Sequence, residues 1–206
     1  MITLIDYKAG NLASVRKAFA FLGQQTETTE DPDTVRRASA LVLPGVGHFS
    51  TTERLSMSGV RDAVLEAIAE GTPFLGICVG MQWQFAGSAE ADGIEGLALF
   101  SGQCGRFQTE LKVPHVGWNR IRRTPEGAHS RLLRGVDDGS FVYFTHSYRA
   151  PVVEGVAATT TYGETFAACV ERGNVFGTQF HPEKSGATGL QILKNFCGYA
   201  AERSAR

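Results

Sequence analysis

The sequence predicts an α/β protein: one domain with a mixed, mostly parallel sheet, flanked by helices and widened by antiparallel strands. Three observations carry that expectation. Short apolar runs at residues 2–6, 40–43 and 73–77 read as buried strands, and each leads into a turn that contains glycine. Helical periodicity lies between these runs, as strand–helix–strand units require. Beyond Gly96 the pattern changes to β-like runs broken by Gly, Pro and charged turns, which reads as antiparallel strands added to the parallel core.

In chain order, the strand at residues 2–6 ends in a turn at Gly10-Asn11. Asn11 can cap a helix whose apolar positions Leu12, Val15, Phe19 and Leu22 follow helical spacing, with Gly23 as its stop. A short strand at 25–28 follows, and the buried strand at 40–43 stops at Pro44-Gly45-Val46-Gly47. A helix over 60–70, ended by Gly71, leads into the strand at 73–77. The second half contributes β-like runs at 97–100, 116–121, 141–145, 156–162, 167–171 and 175–179, with Gly173-Asn174 as a hairpin turn. A closing helix over 188–201 places Leu190, Leu193 and Phe196 on one face.

Composition narrows the function classes. The 206 residues suffice for one well-buried domain spanning the chain, 43% of them are hydrophobic and 20% charged, and the formal net charge is -1. That balance offers no electrostatic footprint for nucleic acid or an anionic membrane. The first residues, MITLIDYKAG, lack the basic start and apolar run of a signal peptide, and no stretch is long enough to cross a bilayer, so a cytoplasmic location is expected. Cysteines 78, 104, 169 and 197 form no C-x-x-C pair, and the five histidines form no H-E-x-x-H helix. Neither a disulfide nor a metal site is expected, and no cofactor is called for.

The stretch GTPFLGICVGMQWQ, residues 71–84, carries the first chemical signal. Cys78 stands between Gly76 and Gly80 where a strand should turn into a helix, a G-x-C-x-G elbow. Such a turn is cramped, needs small neighbours and projects the nucleophile from the top of the sheet. A helix N-terminus favours a thiolate there, and the Val79 amide would face an oxyanion formed at the attacked carbon. A buried structural cysteine is the competing reading of the elbow alone.

A nucleophilic thiol needs a base, and the best candidate is in Phe180-His181-Pro182-Glu183. If the segment is extended, alternation puts His181 and Glu183 on one side, so the carboxylate can hold the imidazole while its other nitrogen faces the thiol. Pro182 removes the helical alternative. The pair would stand at a strand end, as the elbow does, where ligand sites of open α/β sheets collect. Alone, His181 reads more readily as a surface-loop histidine beside a solvated glutamate than as a catalytic one. His48, His115, His129 and His146 are weaker candidates.

These motifs resemble those of the class I, or triad, glutamine amidotransferases. GICVGMQ around Cys78 and FHPEKSG around His181 stand in that family's order and spacing, and DYKAGN, PGVG, KVPHVGWN and YFTHSY extend the resemblance over nearly the whole chain. The resemblance implies a flavodoxin-like core, Cys78 as nucleophile, His181 as general base and acid, and Glu183 as its orienter. It also implies glutamine contacts or oxyanion donors at Val46, Gly47, Val79 and Gln82. The longer motifs are similar to a branch whose members act as glutaminase subunits and pass ammonia to a partner cyclase, a (β/α)8 barrel, in a heterodimer of histidine biosynthesis. In that branch the glutaminase site faces the barrel, so Asn11, Trp118, Tyr143, His146 and Lys184 are candidates for the partner face; the alternative for Trp118 and Tyr143 is the core. Lys8, Val79 and His48 depart from the usual pattern, though none removes a triad member. A free-standing cysteine hydrolase of the same fold, a glutaminase subunit of another amidotransferase and a non-catalytic subunit are the alternatives; hydrolases of that kind commonly carry histidine where Val79 stands.

Overall fold

A computed structural model describes residues 1–8 and 11–204. The first half supplies β1 (Ile2–Ile5), α1 (Leu12–Phe21), β2 (Thr26–Thr29), α2 (Pro32–Arg36), β3 (Leu41–Gly45), α3 (Glu53–Met57), α4 (Val60–Ala69), β4 (Phe74–Cys78) and α5 (Val79–Gln82). The second half supplies β5 (Gly105–Arg106), β6 (His115–Arg120), β7 (Arg122–Arg123), β8 (Phe141–His146), β9 (Tyr148–Arg149), β10 (Val156–Tyr162), β11 (Glu164–Arg172), β12 (Val175–Thr178) and α6 (Gly186–Ser204). The main sheet runs β2-β1-β3-β4-β12-β11-β10-β7. Its first five strands are parallel and the last three antiparallel. The order 2-1-3-4 followed by one further parallel strand is the flavodoxin-like pattern, so the expected mixed α/β fold is the one observed. β6 and β8 pair as a separate antiparallel ribbon, and β5 with β9 as a second. No helix among the described residues is long and apolar enough to cross a membrane.

Local chemistry explains most element ends. Asn11 Oδ1 accepts from the Ser14 amide at 3.4 Å and starts α1, which buries Val15, Ala18 and Phe19 at helical spacing. The turn expected at Gly10-Asn11 falls partly outside the described residues. The hairpin at Gly173-Asn174 forms as expected, with Arg172 facing Val175. β3, β4 and β12 are buried along their whole length, which is why they read as unbroken apolar runs.

Four expectations need correction. β3 does not stop at Pro44 but runs through it to Gly45. β1 pairs with β3 only at Leu41 and Val42, so at Pro44 only β4 is alongside, and a missing N–H costs nothing on the open side. Residues 97–100 form no strand: the Leu97 and Leu99 amides bond the carbonyls of Trp83 and Gln84 at 2.7 and 2.8 Å, strapping the segment over the turn after α5. Helices α2 and α3 were not expected, because five residues are too few to display a period; Asp31 capping Thr34 N at 2.9 Å with Pro32 in first position was the available signal. The His181–Glu183 segment is not extended. Only His181 is, and Pro182–Lys184 form a 3₁₀ turn with Pro182 as first residue, where its ring is tolerated.

Candidate active site

β3, β4 and β12 are neighbours, and their carboxyl ends bring Val46, Cys78 and His181 together. Cys78 has φ 54°, a left-handed value rare outside glycine, so the backbone at the elbow is strained as a nucleophile turn requires. Both flanking glycines are dictated by contact. A Cβ on Gly76 would lie 2.3 Å from the Gly80 carbonyl oxygen, and one on Gly80 would lie 2.0 Å from that of Leu43. The helix after the elbow is a single turn, Val79–Gln82, so few aligned peptides stand behind Cys78 and the helix dipole expected from sequence is short. The sulfur depends on side chains instead.

His181 Nδ1 lies 2.9 Å from Glu183 Oε1, and both side chains are 1% exposed. Although extended alternation is absent, the 3₁₀ turn folds the carboxylate back onto the ring. His181 Nε2 is buried, and Cys78 is the group that acts most strongly on the ring. Burial pulls the imidazolium down, but the charge and hydrogen bond of Cys78, together with Glu183, outweigh it and raise its pKa to about 10. His181 is thus protonated at neutral pH between a sulfur and a carboxylate. Its backbone is fixed as well: the His181 amide donates to Tyr143 O at 2.9 Å, and Ser185 Oγ accepts from the Tyr143 amide at 2.9 Å while donating to His181 O at 2.7 Å.

A cavity of about 210 Å³ opens over Cys78, and all four other residues expected there from the resemblance, Val46, Gly47, Val79 and Gln82, line it. Gln82 Nε2 donates to Tyr148 O at 2.7 Å and Gln179 Oε1 at 3.1 Å, which leaves only its Oε1 acceptor for a ligand. Glu90 also lines the cavity, and its Oε2 accepts from the Phe49 amide at 2.8 Å. Neither Glu90 nor Gln179 stood out in the sequence, since a lone Glu in a loop and a Gln before Phe180 have no distinguishing pattern. Gln179 Nε2 reaches Cys78 Sγ at 3.8 Å.

The partner-face candidates divide. Trp118 and Tyr143 face each other across the β6–β8 ribbon with ring centroids 6.0 Å apart, and Trp118 is 55% exposed, so it does not fill the core. Lys184 is exposed, with Nζ 5.8 Å from the Tyr143 ring centroid. Val116 and Phe141 extend this apolar patch. Asn11 is half-buried as the cap of α1. His146 is corrected: it points inward, 7% exposed, because alternation along β8 puts it on the face opposite Tyr143 and Thr145, where it lines the cavity. His48 and His129 are exposed, and neither lines the cavity.

The elbow cysteine, a buried histidine and a carboxylate behind it thus stand at adjoining strand ends of a flavodoxin-like sheet. A family model described as class-I glutamine amidotransferase matches residues 3–198, and the chain belongs to that family. It is 45% identical over 198 residues to the imidazole glycerol phosphate synthase subunit HisH of Moorella thermoacetica, covering 95% of this chain and 93% of that one. The HisH subunit of Geobacter metallireducens is 47% identical over 207 residues, at 95% and 96% coverage. In fold the chain is similar to the structure of PurLQS from Thermotoga maritima, with a TM-score of 0.74, 17% identity and 96% and 97% coverage. It is also similar to the glutaminase domain of Trypanosoma brucei CTPS with bound acivicin, with a TM-score of 0.70, 14% identity and 98% and 93% coverage.

Proposed function

We propose that this chain is the glutaminase subunit of an imidazole glycerol phosphate synthase and delivers ammonia from glutamine to a (β/α)8-barrel cyclase. The carrying observation is the meeting of Cys78 and His181 at adjoining strand ends, with Glu183 2.9 Å behind the imidazole, beside a cavity of about 210 Å³. The Cys78 thiolate attacks the side-chain amide carbon, His181 gives its proton to the departing nitrogen, and ammonia leaves a γ-glutamyl thioester. Neutral His181 then takes a proton from water as the oxygen adds to the thioester carbon, and collapse releases glutamate and restores thiolate and imidazolium. Val79 and the Val46–Gly47 peptides supply donors to the oxyanion. Glu90 offers a carboxylate to the α-ammonium of glutamine, and Gln82 Oε1 accepts from its polar hydrogens.

The exposed Trp118 and Lys184 with the half-buried Tyr143 suit the partner face, an aromatic patch beside a cation. Because the Tyr143 carbonyl holds the His181 amide, a cyclase seated on that patch would press directly on the triad's backbone. The test is glutamine hydrolysis by the full chain with and without the cognate cyclase, alongside cyclisation on added ammonia. No glutamine-dependent ammonia release in either case would overturn the reading.

A further inference from the structure

Behind the cavity runs a hydrogen-bonded chain in which every proton can be assigned. Asn119 Oδ1 accepts from the Arg120 amide at 2.8 Å, so its Nδ2 is the atom facing His115 Nε2 at 3.4 Å and Thr161 O at 3.1 Å. His115 Nε2 is therefore the acceptor and His115 Nδ1 carries the hydrogen, donated to His146 Nε2 at 3.1 Å. His146 Nδ1 donates to Tyr148 O at 2.8 Å, which fixes the same tautomer from the other end. The rings are buried among Phe107, Phe144, Tyr162 and Phe166. Burial lowers their pKa values to about 4 for His115 and about 3 for His146, the second despite its bond to Tyr148 O, so both are neutral.

The Tyr148 carbonyl also accepts from Gln82 Nε2 at 2.7 Å, and the same nitrogen donates to Gln179 Oε1 at 3.1 Å. Turning Gln82 over would set two oxygens 2.7 Å apart; turning Gln179 over would set two amide nitrogens 3.1 Å apart. Both amides are locked. Gln179, fully buried, must then present N–H to Cys78 Sγ, 3.8 Å away. The sulfur's other hydrogen-bonding neighbour is a backbone acceptor, Thr145 O at 3.9 Å, which serves a thiol and not a thiolate.

We propose that Gln179 is a catalytic residue, donating its amide N–H to the sulfur whenever Cys78 is a thiolate, and that His115 and His146 are positioning residues that hold this amide through Tyr148 and Gln82. The donor acts before attack and again in deacylation. There water has lost a proton to His181, its oxygen has bonded the thioester carbon, and the C–S bond breaks with its electron pair passing to sulfur. Gln179 N–H meets that pair, in place of the peptide dipoles that the one-turn α5 lacks. The glutaminase reading enters only through the deacylation step. The titratable groups that act on the sulfur are His181, with Glu183 behind it, and buried Tyr7 after β1, while His146 from β8 and Glu90 line the same cavity.

Alkylation of Cys78 by iodoacetamide in the full chain, followed at fixed pH by mass of the Cys78 peptide, reads the sulfur without any need for glutamine. Gln179→Met should slow it about tenfold or more, the worth of one charge-assisted hydrogen bond. In the presence of the cyclase kcat should fall in parallel, with KM within about twofold. Gln179→Glu keeps the volume and the acceptor for Gln82 but turns an oxygen to the sulfur, and should slow alkylation at least as much, which keeps the test open if the Met variant does not fold. His115→Phe fits between the Phe144 and Tyr162 rings, 4.9 and 4.1 Å away, yet loses the N–H to His146, and should slow alkylation by roughly threefold. Folded Gln179 variants alkylated within twofold of the native rate would overturn the donor role. An unchanged rate in His115→Phe would overturn the positioning role. Rapid native alkylation with no glutamine hydrolysis would instead count against the glutaminase reading.

Discussion

His181 and Glu183 are two residues apart and meet through a 3₁₀ turn, with Nδ1 and Oε1 2.9 Å apart and both side chains 1% exposed. In the proposed mechanism the histidine moves protons in both half-reactions, whereas the carboxylate orients it. His181→Ala should therefore lose more glutamine turnover than Glu183→Gln, by about tenfold or more. It should also destabilise the fold by about 3 kcal/mol, because the buried Glu183 carboxylate is left unpaired. Single-turnover glutaminase assays and denaturant unfolding measure both; equal losses in turnover would show that the roles are misassigned.

Cys78→Ala should abolish glutamine hydrolysis and leave binding to the cyclase and ammonia-dependent cyclisation intact. Alanine at φ 54° inherits the strain already present, so stability should change by no more than about 1 kcal/mol. Glutamine-dependent product from this variant would exclude Cys78 as the nucleophile.

The proposed oxyanion loop contains two glycines in contrasting settings. Gly47 has φ +108° with nothing within 4 Å of an added Cβ, whereas a Cβ on Gly45 would meet Tyr7 Oη at 2.4 Å. Gly47→Ala should cost about 1 kcal/mol of stability yet most of the glutaminase rate, since the backbone conformation that presents the donor is penalised. Gly45→Ala should lose several times more stability. Thermal melts with steady-state kinetics on both variants check the contrast, and near-native turnover in Gly47→Ala would contradict it.

At the aromatic patch, Lys184→Ala in the 3₁₀ turn and Trp118→Ala on the ribbon should each weaken association with the cyclase or uncouple hydrolysis from cyclisation, while stability stays within about 0.5 kcal/mol. Titration against the cyclase, with ammonia and product followed together, is the measurement. Unchanged affinity and coupling in both would remove this face from the interface.

The neutral His115 and His146 rings make stability acid-sensitive. Their native pKa values, about 4 and about 3, lie below the ordinary histidine value, so the unfolded chain binds more protons as pH falls. Stability from these rings is complete above about pH 7.5 and lost on acidification, by about 2 kcal/mol for each ring between pH 7.5 and 5. Denaturant midpoints across that range should fall accordingly, and imidazole nitrogen NMR should find both rings neutral with hydrogen on Nδ1 at pH 5.5. Protonation of either ring at that pH would refute the tautomer assignment.

The sequence by itself determined the sheet's buried strands, the elbow and the three residues proposed as a triad, because each rests on local physics. An apolar run buried on both faces, a nucleophile cramped between Gly76 and Gly80, and a histidine two residues from a carboxylate are all legible along the chain. Only tertiary structure decided how His181 reaches Glu183, since the turn at Pro182 forms while Ser185 ties His181 to β8. It also decided that Trp118 faces outward and His146 inward, because the register of Trp118 opposite Tyr143 sets which side of the ribbon meets the core. Gln179 and Glu90, and the pairing of His115 with His146, were invisible beforehand for the same reason. Their chemistry arises from contacts between residues as many as 101 positions apart, as in Gln179 and Cys78, and no local pattern encodes such distances.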